Sequence, residues 1–144
     1  MLNASLLDVP RPFLDPIHSL VEAVGISSLV MERPIRNRTY ALVLDTQHRG
    51  LGILHASDIN LMTAHYLIGR MSDIPDAHAV VLISTRVQSC IQPGDIELLS
   101  LLNTTFSHAG FVLHDWVVAG RGGLYCPRSL TDSPDPWGSS AVCL

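Results

Sequence analysis

Residues 79–95, AVVLISTRVQSCIQPGD, combine the pattern of a central strand with the loop that follows it. The stretch opens on an apolar run rich in β-branched side chains, and such a run without polar alternation predicts a strand buried on both faces. A polar loop follows through Gln92, Pro93-Gly94 punctuates it, and Asp95 is well placed to cap the next helix. Loops at the carboxyl ends of central strands are where α/β proteins build their sites, so this loop governs the functional interpretation.

Helical and strand patterns alternate on either side of the buried strand. The predicted elements are, in chain order, a helix at 15–25, strands at 39–44 and 51–55, a helix at 59–71, the buried strand at 79–83, a helix at 95–109, a strand at 111–119 and a short strand at 124–126. Asp15-Pro16 is expected to start the first helix, and Ser57 or Asp58 to cap the second. The order predicts an α/β fold with a mixed sheet flanked by helices.

The length of 144 residues suits one domain with a real core. Residues 1–14 are expected to form an N-terminal arm and residues 15–130 the domain. Residues 131–144 are rich in Pro and Ser, so we expect an irregular tail that adds little to the core. Trp137 is the only large side chain that could anchor that tail.

Charge and cysteine usage narrow the classes of partner and compartment. The net charge of −4 and the lack of a basic stripe argue against nucleic-acid binding. The scattered Cys90, Cys126 and Cys143 do not form a disulfide framework, and free thiols suit a reducing cytoplasm. No export signal is apparent, and the apolar runs are far too short to span a membrane.

The composition also favours self-association. Apolar residues make up 47% of the chain and charged residues only 15%, which leaves little polar surface for so small a protein. A homodimer is therefore expected. The predicted first helix, or a sheet edge at residues 36–40, could supply the interface.

Two segments carry a family resemblance. LVLDTQHR at 42–49 and LHDWVVAGRG at 113–122 resemble the strand–turn and LHDHxIVGRG motifs of the RadC-like branch of the JAMM/MPN (JAB) metalloprotease superfamily. The elements between them also occur in the matching order, and the resemblance covers roughly residues 37–130. It implies a cytidine-deaminase-like three-layer architecture.

The resemblance implies a zinc centre from which this chain departs. In the family, HNHPSGxPxPSxxD follows the buried strand, two His and the Asp hold zinc, and a preceding Glu is the general base. Zinc needs such imidazole and carboxylate ligands and an open position for water. The corresponding positions are Asn37 for the Glu, Thr85 and Val87 for the histidines, Ser89 for the serine and Asp95 for the Asp. Valine cannot ligate zinc and asparagine cannot act as a base, so neither metal nor cofactor is expected.

The resemblance therefore implies a degenerate, non-catalytic pseudo-metalloprotease that binds another protein. Because RadC-like genes travel on mobile elements, an accessory or inhibitory role there is expected. Three alternatives stay open: a thiol hydrolase with Cys90 as nucleophile and His114 or His48 as base, a zinc peptidase with rearranged ligands, and a DNA-associated protein. Asp95 is expected to act mainly as a helix cap. His114 and Asp115, as strand neighbours, should point to opposite faces, and His48 should be solvated in its turn.

Overall fold

The part of the chain that the structure describes contains a five-stranded mixed sheet. The computed structural model describes residues 10–87, 91–120, 123–131 and 136–137. The strands are β1 (Arg38–Leu44), β2 (Gly50–Ala56), β3 (Ala79–Thr85), β4 (Val112–Gly120) and β5 (Gly123–Tyr125). The helices are α1 (Leu20–Ser28), α2 (Leu61–Met71) and α3 (Asp95–His108), and a 3₁₀ turn follows at Pro127–Leu130.

The strand order is β2-β1-β3-β4-β5. Only β3 and β4 pair in parallel among these strands, and α3 lies in the long crossover that a parallel pair requires. Every residue of β3 is buried, as its apolar run predicts. The expected sheet edge at residues 36–40 is wrong, because β1 is enclosed between two strands: Thr39 pairs with both Ala56 and Ser84.

Helices cover both faces of the sheet. On one face α2 and α3 pack against the strands through side chains that include Leu67, Leu102 and Phe106. On the other, Ala23 of α1 packs with residues such as Val81 of β3. The expected class, α/β with a mixed sheet flanked by helices, is confirmed.

Two helices start later than the sequence patterns predict. Helix α1 is capped by Ser19, whose hydroxyl accepts a hydrogen bond from the Glu22 N–H at 3.2 Å. Pro16 instead forms an isolated β-bridge with Arg49. Helix α2 is capped by Asn60, whose side chain accepts from the Thr63 N–H at 2.8 Å. In each case a later polar residue supplies the N-cap acceptor.

Trp137 docks on the domain, and Cys126 differs from its expected state. Trp137 packs against the core on the α1 side of the sheet. The buried Cys126 is disulfide-bonded, so the expectation of free thiols is wrong for this residue. Its bonding partner lies outside the described residues. None of the described helices combines the length and apolarity that crossing a membrane requires.

Candidate functional site

The start of β1 and the end of β3 meet at one end of the sheet. Arg38 pairs with Thr85, and the Thr85 hydroxyl donates a hydrogen bond to the carbonyl oxygen of Arg36. The Val87 N–H donates to Asn37 Oδ1 at 2.9 Å. Sheet pairing thus brings Asn37 next to Thr85 and Val87, from which it is separated by about fifty residues. Hydrogen bonds join the two segments.

Asp95 joins this end of the sheet through Arg86. Arg86 Nη1 lies 2.7 Å from Asp95 Oδ2, and Nη2 lies 3.0 Å from Oδ1, a bidentate pair. Both side chains are buried, with 8% and 5% of their surface exposed. The Gln92 N–H donates to the same Oδ2 at 2.7 Å. The carboxylate is therefore bound on both oxygens by groups of this chain.

A buried polar chain supports the guanidinium. Arg86 lies over the Trp116 ring at 5.9 Å from its centroid, a distance within the range of a cation–π contact. The Trp116 indole N–H donates to Ser84 Oγ at 3.0 Å, and Ser84 Oγ lies 3.4 Å from Thr39 Oγ1. These contacts hold Arg86 in an orientation that faces Asp95.

Asp95 is not the cap of α3, in contrast to the prediction. Gly94 occupies the N-cap position with φ of 89°, and no side chain caps the helix there. Asp95 is the first helical residue, and its carboxylate is turned to Arg86. Because a glycine takes up positive φ without strain, the chain can turn sharply before the helix and leave the Asp95 side chain for the ion pair.

Arg86 is the residue that sequence reasoning missed. It lies directly after the buried strand and nine positions before Asp95. The available signal was a single basic residue between an apolar strand and a carboxylate at a helix start. That signal is weak, since such an arginine is ordinarily solvent-exposed.

This arrangement does not fit a zinc centre. Thr85 and Val87 present a hydroxyl and an aliphatic group where the resemblance places imidazoles, and Asp95 is paired with a fixed cation. A divalent ion would have to displace the guanidinium and would then gain one carboxylate, whereas zinc sites use three or four protein ligands. In the described ranges, no three His, Cys, Asp or Glu side chains lie close enough to hold a metal. Ser89 lies outside the described residues, and so does Cys90, the nucleophile of the thiol-hydrolase alternative.

The turn after β1 is fixed by one carboxylate. Asp45 Oδ1 accepts from the Gln47 and Arg49 N–H groups, both at 2.9 Å, and Oδ2 accepts from Arg49 Nε at 2.8 Å. Burial acts to raise the pKa of Asp45, but these hydrogen bonds outweigh it and hold the pKa below its usual value. The Asp and Arg of the LDTQHR segment therefore have a structural role in this protein.

The two segments that carry the resemblance touch each other. The centroids of the His48 and His114 rings lie 4.8 Å apart. His48 was expected to be solvated, but it is only partly exposed. His114 also meets the edge of the Trp137 ring at a centroid distance of 4.3 Å. A bulge occurs here, because Val80 pairs with Leu113 and Val81 with Asp115.

The bulge changes the expected geometry of the His114-Asp115 pair. The same indole that contacts His114 donates its N–H to Asp115 Oδ2 at 2.7 Å, so the expectation of opposite faces is wrong. Asp115 also accepts from Arg128 Nε at 3.1 Å and from the Trp116 N–H at 2.9 Å. Burial raises the pKa of this carboxyl, and the donors on Trp137 and Arg128 oppose that shift. With these donors on its oxygens, Asp115 serves to join the tail to β4.

Comparison with known proteins adds no assignment: no protein-family model matches the chain, and no curated protein sequence matches it.

Proposed function

We propose that the chain is a RadC/JAB-like pseudo-metalloprotease of the JAMM/MPN type that has lost its metal centre and acts as a protein-binding module. Its partner is another protein, and it associates with itself as a homodimer. The role that follows is accessory or inhibitory, in the service of a mobile element. The mobile-element setting rests on the resemblance alone.

The buried Arg86–Asp95 pair is the observation that carries the proposal. Asp95 is the one ligand-type residue that the resemblance keeps, and its oxygens lie 2.7 and 3.0 Å from guanidinium nitrogens. The fixed positive charge satisfies the carboxylate at the place where a metal ion would otherwise do so. The pairing compensates both buried charges without a metal ion.

The contact between the two family-like segments supports the fold assignment. They are separated by the whole of β2, α2, β3 and α3, yet the rings of His48 and His114 pack at 4.8 Å. Three-layer stacking of helices on both sheet faces agrees with the architecture that the resemblance implies. These features favour the degenerate-relative hypothesis over a chance match of two short motifs.

Zinc content tests the loss of the metal centre. We expect purified wild-type protein to hold well under one zinc per chain after dialysis, and a chelator to leave the melting temperature unchanged, because Asp95 is already paired. Elemental analysis and thermal denaturation provide the two measurements.

A matched pair of variants makes that test specific. Asp95→Asn and Asp115→Asn each neutralise one buried carboxylate, and both should have the zinc content of the wild type. If the wild type retains one zinc that Asp95→Asn loses and Asp115→Asn keeps, a metal is bound at this site and the proposal is wrong.

A further inference from the structure

Among the residues that the structure describes, the outer edge of β2 is unpaired over most of its length. At one end the arm before α1 reaches it: the Phe13 N–H donates to the Gly50 carbonyl at 3.0 Å, and the Ile17 N–H to that of His48 at 2.8 Å. Between described residues, no backbone hydrogen bond from outside the sheet reaches residues 51–56.

This edge lacks the usual protection against pairing. The sequence of β2, GLGILHA, contains no Asp, Glu, Lys, Arg or Pro. Exposed edge strands normally carry such residues, because an unprotected row of backbone groups pairs readily with another strand. Gly52 and His55 are exposed, and the other residues from 51 to 56 are partly exposed. The edge is therefore accessible as well as uncharged.

The surface beside the edge is apolar and carries no net charge. A cleft of about 390 Å³ lies between β2, the arm and α1, and its lining includes Phe13, Ile26, Val30 and Ile53. Phe13 is 61% exposed. The one acid and the one arginine at the cleft, Asp15 and Arg11, are paired at 2.9 Å. A strand laid along β2 would cover part of this surface.

We propose that β2 pairs antiparallel with β2 of a second copy of this chain, joining the two five-stranded sheets into one. A twofold antiparallel interface sets the strand against its own sequence, so a charge on this short strand would lie near the same charge of the second copy. A strand without charged residues satisfies this condition for self-pairing. The inference rests on the self-association in the proposed function and is independent of the lost metal site.

A charged residue on the edge tests the pairing. Gly52 and Gly69 are both exposed, neither has positive φ, and an added Cβ would meet no atom within 4 Å at either position. Gly52→Lys puts a lysine on β2, and Gly69→Lys puts the same residue on α2 as the matched control. Sedimentation velocity over a concentration series measures self-association, and circular dichroism checks folding.

The wild type and Gly69→Lys should be dimers at high micromolar concentration. Gly52→Lys should raise the dimer dissociation constant by roughly tenfold or more, since the pairing then brings two like charges into one short interface. A monomeric wild type, or a Gly52→Lys variant that dimerises as tightly as the control, would overturn the proposal.

Hydrogen exchange on the wild type gives a second readout that needs no variant. Amides of residues 50–56 should become more protected as the protein concentration rises, because outward N–H groups enter intermolecular bonds. A concentration-dependent gain confined to α1, with none on β2, would place the dimer contact elsewhere and refute the pairing. Zinc content does not enter either measurement, so this proposal and the loss of the metal centre fail separately.

Discussion

At the scale of single residues, Arg86 and Asp95 depend on each other. An isolated buried charge is strongly unfavourable, while a bidentate pair with further hydrogen bonds offsets much of the desolvation cost. Gln92 and Trp116 complete the arrangement from either side. The pair therefore links the loop after β3 to the start of α3 and holds the candidate site in one geometry.

Removing one partner should be costly. We expect Arg86→Ala to lower the free energy of unfolding by about 3–5 kcal/mol, because it leaves the buried Asp95 carboxylate without its cation. The double variant Arg86→Met/Asp95→Leu should recover most of that loss, since neither position then carries a buried charge. Urea denaturation measures both.

The exposed pair Arg11–Asp15 is the matched control. Its side chains are 69% and 37% exposed, and solvent screens such pairs, so Arg11→Ala should cause no measurable change. If Arg11→Ala and Arg86→Ala lowered the free energy of unfolding equally, burial would not distinguish the two pairs and the prediction would be wrong.

At the scale of elements, the turn between β1 and β2 depends on Asp45. Its carboxylate binds two backbone N–H groups and the Arg49 side chain. His48 takes a left-handed conformation with φ of 61°, and its N–H donates to the Asp45 carbonyl at 3.0 Å. One residue thus fixes the turn that joins β1 to β2.

Asp45 should contribute stability that depends on pH. Its folded pKa lies below the ordinary value of 3.8, so the folded state favours the charged form. The contribution is fully present above pH 3.8 and is lost as the pH falls through the folded pKa. We expect Asp45→Asn to cost about 1–2 kcal/mol at neutral pH and the difference from the wild type to shrink in acid. Urea denaturation at a series of pH values measures it, and a pH-independent difference would contradict the assignment.

At the scale of the whole molecule, the tail is part of the fold through Trp137. Its indole N–H binds Asp115 at 2.7 Å, and its ring contacts His114 and packs on the α1 side of the sheet. Residues 131–144 were expected to add little to the core, with Trp137 as the one side chain that could anchor them, and Trp137 is docked. Because one large aromatic side chain buries much apolar surface, the docked Trp137 can stabilise the domain.

Trp137→Ala should therefore destabilise the protein by about 2–4 kcal/mol, since it loses apolar contacts and a donor to a buried carboxylate. Truncation after Leu130 should lower the melting temperature by a similar amount, roughly 5–10 °C. Trp137→Phe keeps an aromatic ring but removes the indole N–H, so its stability should fall between those of the wild type and Trp137→Ala. A truncated protein that melts with the wild type would show that the tail is dispensable.

Local sequence patterns predict the class of fold and most of the elements. The run AVVLI predicts a strand buried on both faces, and β3 is buried throughout, because periodicity and β-branching act locally. The same local signals located the hairpin and the helices. They misplaced the starts of α1 and α2, since several neighbouring polar residues could each supply the cap.

Which side chains meet depends on how the strands and helices pack. Arg86 and Asp95 have no sequence pattern that pairs them, and their contact depends on how β3 and α3 pack. The edge position of β2, the bulge at His114 and the docking of Trp137 likewise follow from strand order and register. These are non-local properties, because each arises from the burial and hydrogen bonding of segments that lie far apart in the chain.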